Sequence, residues 1–184
     1  MKQPAADDVE ITMTAAIRLS LLFILTLQIT LSAEAATRDP ALAGFFAAPL
    51  AVETVADDRH EFTVYLAITP QQRAHGLMFV RSLPADYGML FLYHEPQIIS
   101  MWMKNTVLSL DMLFIRPDGT IANIVHDTTP QSLASIRSSG AVTGVLELNA
   151  GTARRLGLAP GDRIVYRAFE PVSNDAESPA SDQH

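Results

Sequence analysis

The feature that most constrains the fold is an alternation of apolar and polar residues with a period of two. In residues 60–68, Phe62, Val64 and Leu66 fall on one face of an extended chain, whereas Glu61 falls on the other. This alternation is typical of a strand with one buried face. Strand character recurs in residues 50–55, 88–92, 98–103, 112–116, 121–126, 142–148 and 163–169. The sequence therefore predicts a mainly β fold.

Turn and helix signals divide these segments. Residues 116–120, R-P-D-G-T, predict a tight turn that joins two strands into a hairpin. Residues 69–72, T-P-Q-Q, predict the capped start of a short helix that ends at Gly76. A second short helix is predicted for residues 150–156, with Asn149 as its N-cap. We expect a compact single-domain β-sandwich or barrel of seven or eight strands with two short helices.

The N-terminal segment predicts an export leader. Arg18 precedes an apolar run over residues 19–31, and A-E-A at residues 33–35 is typical of a cleavage site. The run is short for a membrane span, which needs about 20 apolar residues. We expect a signal peptide over residues 1–35, with Met13 as an alternative start. The protein would then be periplasmic or secreted, or membrane-anchored where the signal stays uncleaved.

Composition sets the remaining boundaries and excludes several classes of function. We expect a flexible tether over residues 36–49, a β-rich domain over 50–169, and a disordered tail over 170–184, which is poor in bulky apolar residues. The chain has no cysteine, which excludes disulfides and thiol chemistry. Its net charge of −7, with no basic stripe, argues against a nucleic-acid partner.

Several motifs follow one another in order along the chain. They are R-A-H-G-L-M at 73–78, R-S-L-P at 81–84, G-M-L-F at 88–91, W-M-K-N-T at 102–106, L-D at 110–111, and L-E-L-N-A-G-T-A-R-R-L-G-L-A-P-G-D at 146–162. In this combination the chain resembles the domain-of-unknown-function family 192, from about residue 53 to residue 169. Met101 and Ser109 stand where the family pattern usually has Phe and Pro. The resemblance implies a mostly β single domain and brings no established activity, so function must be argued from the residues.

Polar residues set among large apolar ones mark a candidate ligand-binding cleft. Its predicted members are Arg73, Trp102, Lys104, Asn105, Thr106, Asp111 and Glu147. A buried charge is costly unless it is paired, so these groups should meet one another or backbone groups, for example Lys104 with Asp111. Three interpretations stay open: a structural network of ion pairs, a cleft for an anionic or sugar ligand, and an acid–base site.

The leading hypothesis is a non-catalytic periplasmic binding or accessory module. Its partner would be a small polar ligand or an envelope protein, and aromatic residues such as Tyr87 or Tyr93 could lie exposed near the cleft. The alternative is a hydrolase or lyase acting on a polar cell-envelope substrate, with Lys104 paired to Asp111 or Glu147 as acid and base.

A second alternative is a carrier of Cu(I) or Ag(I). Met101 and Met103 would supply the soft thioether ligands that these ions prefer, and a histidine could join them. The histidines are isolated along the chain, with no zinc-binding spacing. No cofactor is expected, and no resident metal beyond this thioether alternative.

Overall fold

The structure, a computed structural model, describes residues 39–170. The predicted signal peptide, with its alternative start at Met13, and the tail beyond residue 170 lie outside the described residues. Within residues 39–170, no helix has the length and apolar character needed to cross a membrane.

Nine strands and two short α-helices make up the domain, which confirms the mainly β prediction. The strands are β1 (Phe46–Glu53), β2 (Arg59–Ala67), β3 (Tyr87–Gln97), β4 (Ser100–Met101), β5 (Leu110–Ile115), β6 (Ile121–Val125), β7 (Ile136–Arg137), β8 (Val142–Asn149) and β9 (Arg163–Val165). The helices are α1 (Pro70–His75) and α2 (Thr152–Arg155), and 3₁₀ turns cover Pro40–Leu42 and Arg167–Phe169.

Seven strands form one sheet in the order β6-β5-β8-β3-β2-β1-β9. Only β2 and β3 pair in parallel, and the other neighbours are antiparallel. The two edges meet through the Thr120–Arg163 bridge, and Ile164 donates its backbone N–H to the Gly119 carbonyl at 2.8 Å. The sheet is therefore rolled into a nearly closed barrel.

The sheet carries a hydrophobic core on each face. The inner core draws residues such as Val64, Leu90, Leu113 and Leu146 from strands around the barrel. The outer core lies on the β2-β3-β8-β5 part of the sheet, where Leu77 and Met103 pack over it from the loops that follow α1 and β4. These loops cover the face of the sheet where the predicted site residues gather.

Local sequence signals explain α1 and the β5-β6 hairpin. The Thr69 hydroxyl accepts from the Gln72 N–H at 3.1 Å, and the Gln72 side chain accepts from the Thr69 N–H at 3.0 Å. Gly76 ends the helix at a φ of +52°. In the hairpin, Asp118 accepts from the Thr120 N–H at 2.9 Å, which helps lower the pKa of its carboxyl. Both predictions are confirmed.

Three local predictions are corrected. Strand β1 begins at Phe46, and Leu42 and Phe45 are buried in the outer core, so residues 40–49 belong to the fold instead of a flexible tether. The predicted strand at 98–103 is reduced to two residues, Ser100–Met101. Helix α2 has Gly151 as its N-cap, and the Asn149 amide instead donates to the carbonyls of Leu83 and Pro84.

Candidate functional site

A cavity of about 200 Å³ lies on the outer face of the sheet, between α1, β3, β8 and the chain around β4. It brings together five of the predicted cleft residues. These are Arg73, Trp102, Lys104, Thr106 and Glu147. Its other lining residues include His75, Met78, Phe91, Tyr93, Ser100 and Met101.

Glu147 forms the buried end of this cavity. It lies on β8 in register with Met89 of β3 and Met112 of β5, both fully buried, and is itself only 4% exposed. Its carboxyl makes no hydrogen bond or ion pair with any residue in the range 39–170. Desolvation raises the pKa of Glu147 to about 8, so the side chain is mostly protonated and uncharged at pH 7.

Arg73 is held in place from α1. One of its amino nitrogens donates to the Ile68 carbonyl and, at 2.9 Å, to the Leu92 carbonyl. Its guanidinium carbon lies 4.8 Å from the centre of the Tyr93 ring. The remaining guanidinium donors have no hydrogen-bond partner in the described part of the chain. Arg73 is thus oriented by backbone groups and keeps donors free.

Tyr93 completes the inner wall beside Glu147. Its hydroxyl lies 3.7 Å from the Met101 sulfur. Burial raises the pKa of Tyr93, Arg73 opposes this shift, and Glu147 adds to it, so the phenol stays protonated through the neutral range. The other aromatic residue suggested for the cleft, Tyr87, packs against Tyr65 with ring centres 5.9 Å apart and does not line the cavity.

The mouth carries an exposed cation on an exposed ring. The Lys104 ammonium lies 5.7 Å from the centre of the Trp102 ring, which is 53% exposed. Thr106 is buried, and its hydroxyl donates to the Lys104 carbonyl at 3.3 Å. Asn105 does not line the cavity; its carbonyl accepts from the Phe79 N–H at 2.9 Å, and this bond joins the two loops of the rim.

Asp111 was wrongly assigned to the cleft. It is fully buried, and its two carboxyl oxygens accept from the backbone N–H groups of Asp127 at 3.0 Å and Ala153 at 2.8 Å. His126 Nδ1 lies 3.8 Å from the first of these oxygens. Asp111 therefore anchors α2 and the chain after β6, and the expected Lys104–Asp111 contact is absent from the described residues.

The two methionines of the metal hypothesis do not share the cavity. Met101 lines it, whereas Met103 is fully buried in the outer core and is not among the lining residues. Within residues 39–170, no cluster of three or more His, Asp or Glu side chains could hold a metal ion either. The proposed pairing of these thioethers at one accessible point is therefore corrected.

The cavity beside β8 differs from a larger one in the pairing of its charged groups. The larger one, of about 410 Å³, lies along β1 and β2 and is lined by Arg59 and Glu61. Arg59 already forms ion pairs with Glu53 at 2.5 Å and with Glu61 at 3.7 Å. In the cavity beside β8, by contrast, a buried carboxyl and two cations form no ion pair among the described residues. That difference marks the smaller cavity as the candidate site.

Sequence reasoning did not assign Tyr93, His75 or Met78 to the predicted cleft; it considered Tyr93 as an exposed aromatic near the cleft, and His75 and Met78 only in connection with a metal site. His75 and Met78 stand in the R-A-H-G-L-M segment that also holds Arg73, so the motif was the available signal. Tyr93 falls on the same face of β3 as Met89 and Phe91, but placing that face against Glu147 requires the β3-β8 register. A single sequence does not contain that register.

Comparison with known proteins agrees with the fold. A crystal structure from Sinorhizobium meliloti 1021, given a provisional description as a transcription regulator, is similar at 48% identity over 66% of this chain and 94% of that one, with a TM-score of 0.65. A protein of unknown function from Novosphingobium aromaticivorans DSM 12444 is similar at 34% identity over 71% of this chain and 99% of that one, with a TM-score of 0.63. No curated protein matches the chain. The model of the family DUF192, described as "Uncharacterized ACR", matches residues 51–166, and the chain belongs to this family.

Proposed function

We propose that this protein is a non-catalytic binding or accessory module, exported from the cytoplasm, whose site is the cavity between α1 and β8. The observation that carries the proposal is Glu147, a carboxyl that is 4% exposed, faces this cavity and lacks a partner among the described residues. Buried polar groups normally have hydrogen-bond partners, and a fold that only needed a filled core would place an apolar side chain here. A small polar ligand would satisfy it.

The shape and the lining of the cavity are also typical of a ligand-binding site. It is concave, apolar side chains such as Leu77, Phe91 and Met101 form part of its walls, and several polar groups converge on it from different elements. Arg73 comes from α1, Lys104 from the loop after β4, and Glu147 from β8. Binding in such a site depends on groups that are oriented before the ligand arrives, as the backbone contacts of Arg73 achieve.

Catalysis is less well supported than binding. The acid–base hypothesis needs an acid and a base within reach of each other or of one water molecule. Asp111 is committed to backbone N–H groups, and Lys104 and Glu147 lie beyond ion-pair distance of each other in the described structure. The Sinorhizobium relative is provisionally described as a transcription regulator, but the net negative charge of this chain gives no support for a nucleic-acid partner.

Titration of the full chain followed through Trp102 fluorescence tests the proposal. Trp102 is the single tryptophan and lies at the mouth, so its signal reports this site. We expect saturable changes with a panel of small polar molecules. Ala74→Phe should abolish them, because Ala74 is an exposed lining residue whose enlargement fills the cavity. Ala56→Phe, at an exposed position in the turn between β1 and β2 that does not line the cavity, is the control. Saturation that survives in Ala74→Phe, or no saturation with any molecule, would refute the proposal.

A further inference from the structure

We infer that the ligand of this cavity is a small organic anion, a carboxylate, whose charge is met by Arg73 and Lys104 while Glu147 donates to it. This inference rests on the proposed function and specifies its ligand class. The volume of about 200 Å³ suits a single small acid better than a polymer segment.

The charges of the lining favour an anion. Arg73 and Lys104 both line the cavity, and neither forms an ion pair with an acidic residue in the range 39–170. Two other arginines of the domain do form ion pairs, Arg59 with Glu53 and Arg154 with Asp127. Arginine matches the planar geometry of a carboxylate through paired N–H donors, and Arg73 retains such donors.

The aromatic residues of the cavity argue against a cationic ligand. Tyr93 and Trp102 would be the natural rings for cation–π binding. The guanidinium of Arg73 already lies 4.8 Å from the Tyr93 ring centre, and the Lys104 ammonium lies 5.7 Å from the Trp102 ring centre. A cationic ligand would have to displace these side chains or sit beside them.

Glu147 then acts as a hydrogen-bond donor in place of a charge partner. A protonated carboxyl can share its proton with a bound carboxylate, whereas the ionised form would repel it. The raised pKa of Glu147 keeps the donor form populated at pH 7. The other titratable groups facing the cavity are Arg73 and His75 on α1, Tyr93 on β3, and Lys104 after β4.

Two matched series of probes test the charge preference on the full chain. The first is benzoate, benzamide and benzylamine; the second is glucuronate, glucose and glucosamine. Within each series the ring is constant and the charge changes from negative to neutral to positive. At pH 7 we expect the acid of at least one series to bind at least tenfold more tightly than its neutral and cationic counterparts, measured by Trp102 fluorescence and calorimetry.

Charge and protonation variants identify the groups responsible. Lys104→Gln should weaken binding of the acid about three- to tenfold, whereas Arg155→Gln, an exposed arginine that does not line the cavity, should have no effect. Between pH 7 and pH 9, affinity for the acid should fall about tenfold as Glu147 ionises. Glu147→Gln keeps an N–H donor without a titration, so its affinity should change less than twofold over this range.

The outcomes separate this inference from the proposed function. Tighter binding of a neutral or cationic probe, blocked by Ala74→Phe, would overturn the anion preference and leave the binding site intact. Acid binding whose pH dependence persists in Glu147→Gln would overturn the donor role of Glu147. Absence of saturable binding by every probe, at concentrations up to tens of millimolar, would overturn both proposals.

Discussion

The carboxyl of Glu147 is buried although burial of a carboxyl is energetically unfavourable. A carboxyl placed between two buried methionines loses its hydration, and this loss favours the protonated form. The folded protein therefore keeps a proton that the unfolded chain, with an ordinary pKa of 4.5, releases. Folding and protonation are linked at this one residue.

Stability should consequently fall as the pH rises from about 4.5 to about 8. The pKa of Glu147 is raised on folding, so its contribution is complete below the unfolded value and is lost by about pH 8, a total of at most about 5 kcal/mol. Urea unfolding of the wild type at pH 5, 7 and 9 should show this loss. The lowered pKa values of Asp39 and Asp118 act only below about pH 4, outside this window.

Glu147→Gln isolates the effect from every other titration. Its free energy of unfolding should vary by less than about 1 kcal/mol between pH 5 and pH 9, and it should exceed the wild-type value at pH 9. Glu95→Gln, at an exposed glutamate, is the matched control and should keep the wild-type pH dependence. Equal pH dependence in the wild type and Glu147→Gln would contradict the assignment.

Phe79 is the second residue held at a cost. It has a φ of +65°, which is unfavourable for a large side chain, and it is nevertheless 59% exposed at the rim of the site. Its N–H donates to the Asn105 carbonyl, and Asn105 itself has a φ of +55°. Two left-handed residues thus hold the loops on either side of the cavity in a fixed relation.

Two substitutions at Phe79 separate the contribution of the aromatic ring from the cost of the left-handed backbone conformation. Phe79→Asn and Phe79→Ala both lose the contact with the His75 ring, whose centre lies 6.2 Å away, but only Asn tolerates the left-handed conformation. We expect Phe79→Asn to be more stable than Phe79→Ala by about 1 kcal/mol in urea unfolding. Equal stabilities would show that the backbone at this position carries no strain.

At the scale of secondary structure, local sequence signals predicted the features that depend only on neighbouring residues. The capping box and the Gly76 stop defined α1 because both act within a few residues. The burial of Glu147 could not be predicted in this way. The alternation of residues along β8 alone would place Glu147 on a solvent-exposed face. In the structure, β8 lies in the middle of the sheet and has a hydrophobic core on each side. Burial on both faces depends on sheet order, which one strand does not reveal.

The same limit explains the candidate site. Arg73, Lys104 and Glu147 were found because each is a polar residue among apolar ones. Asp111 has that pattern too, but it serves as an acceptor for backbone N–H groups. A ligand-facing carboxyl and a backbone-capping carboxyl are indistinguishable until their neighbours are known.

Helix α1 should depend on its cap for both stability and the position of Arg73. Thr69→Ala removes the acceptor for the Gln72 N–H and should lower the free energy of unfolding by about 1 kcal/mol, whereas Thr69→Ser, which keeps the hydroxyl, should cost less. The measurement is urea unfolding at pH 7. A Thr69→Ser variant as unstable as Thr69→Ala would show that the Thr69 methyl, and not the hydroxyl bond, matters.

At the scale of the whole molecule, two cores share one sheet. Strands β2, β3, β5 and β8 bury side chains on both faces. One face forms the barrel interior, and the other packs against the cover, which consists of the loops that follow α1 and β4 and that enclose the cavity. A cover attached only by surface contacts would unfold before the barrel. A cover whose side chains fill the second face of the sheet should unfold with it, in a single transition.

Core truncations on opposite faces test this coupling. Leu146→Ala in the inner core and Met89→Ala in the outer core each remove a fully buried side chain and should cost about 2 to 5 kcal/mol, whereas Leu133→Ala, at a residue that is 70% exposed, should cost little. Far-ultraviolet circular dichroism follows the barrel, and Trp102 fluorescence follows the cover. In each variant both signals should shift to the same new midpoint. If Met89→Ala shifts only the fluorescence midpoint, the cover is a separate unit, and the cavity can open without unfolding the barrel.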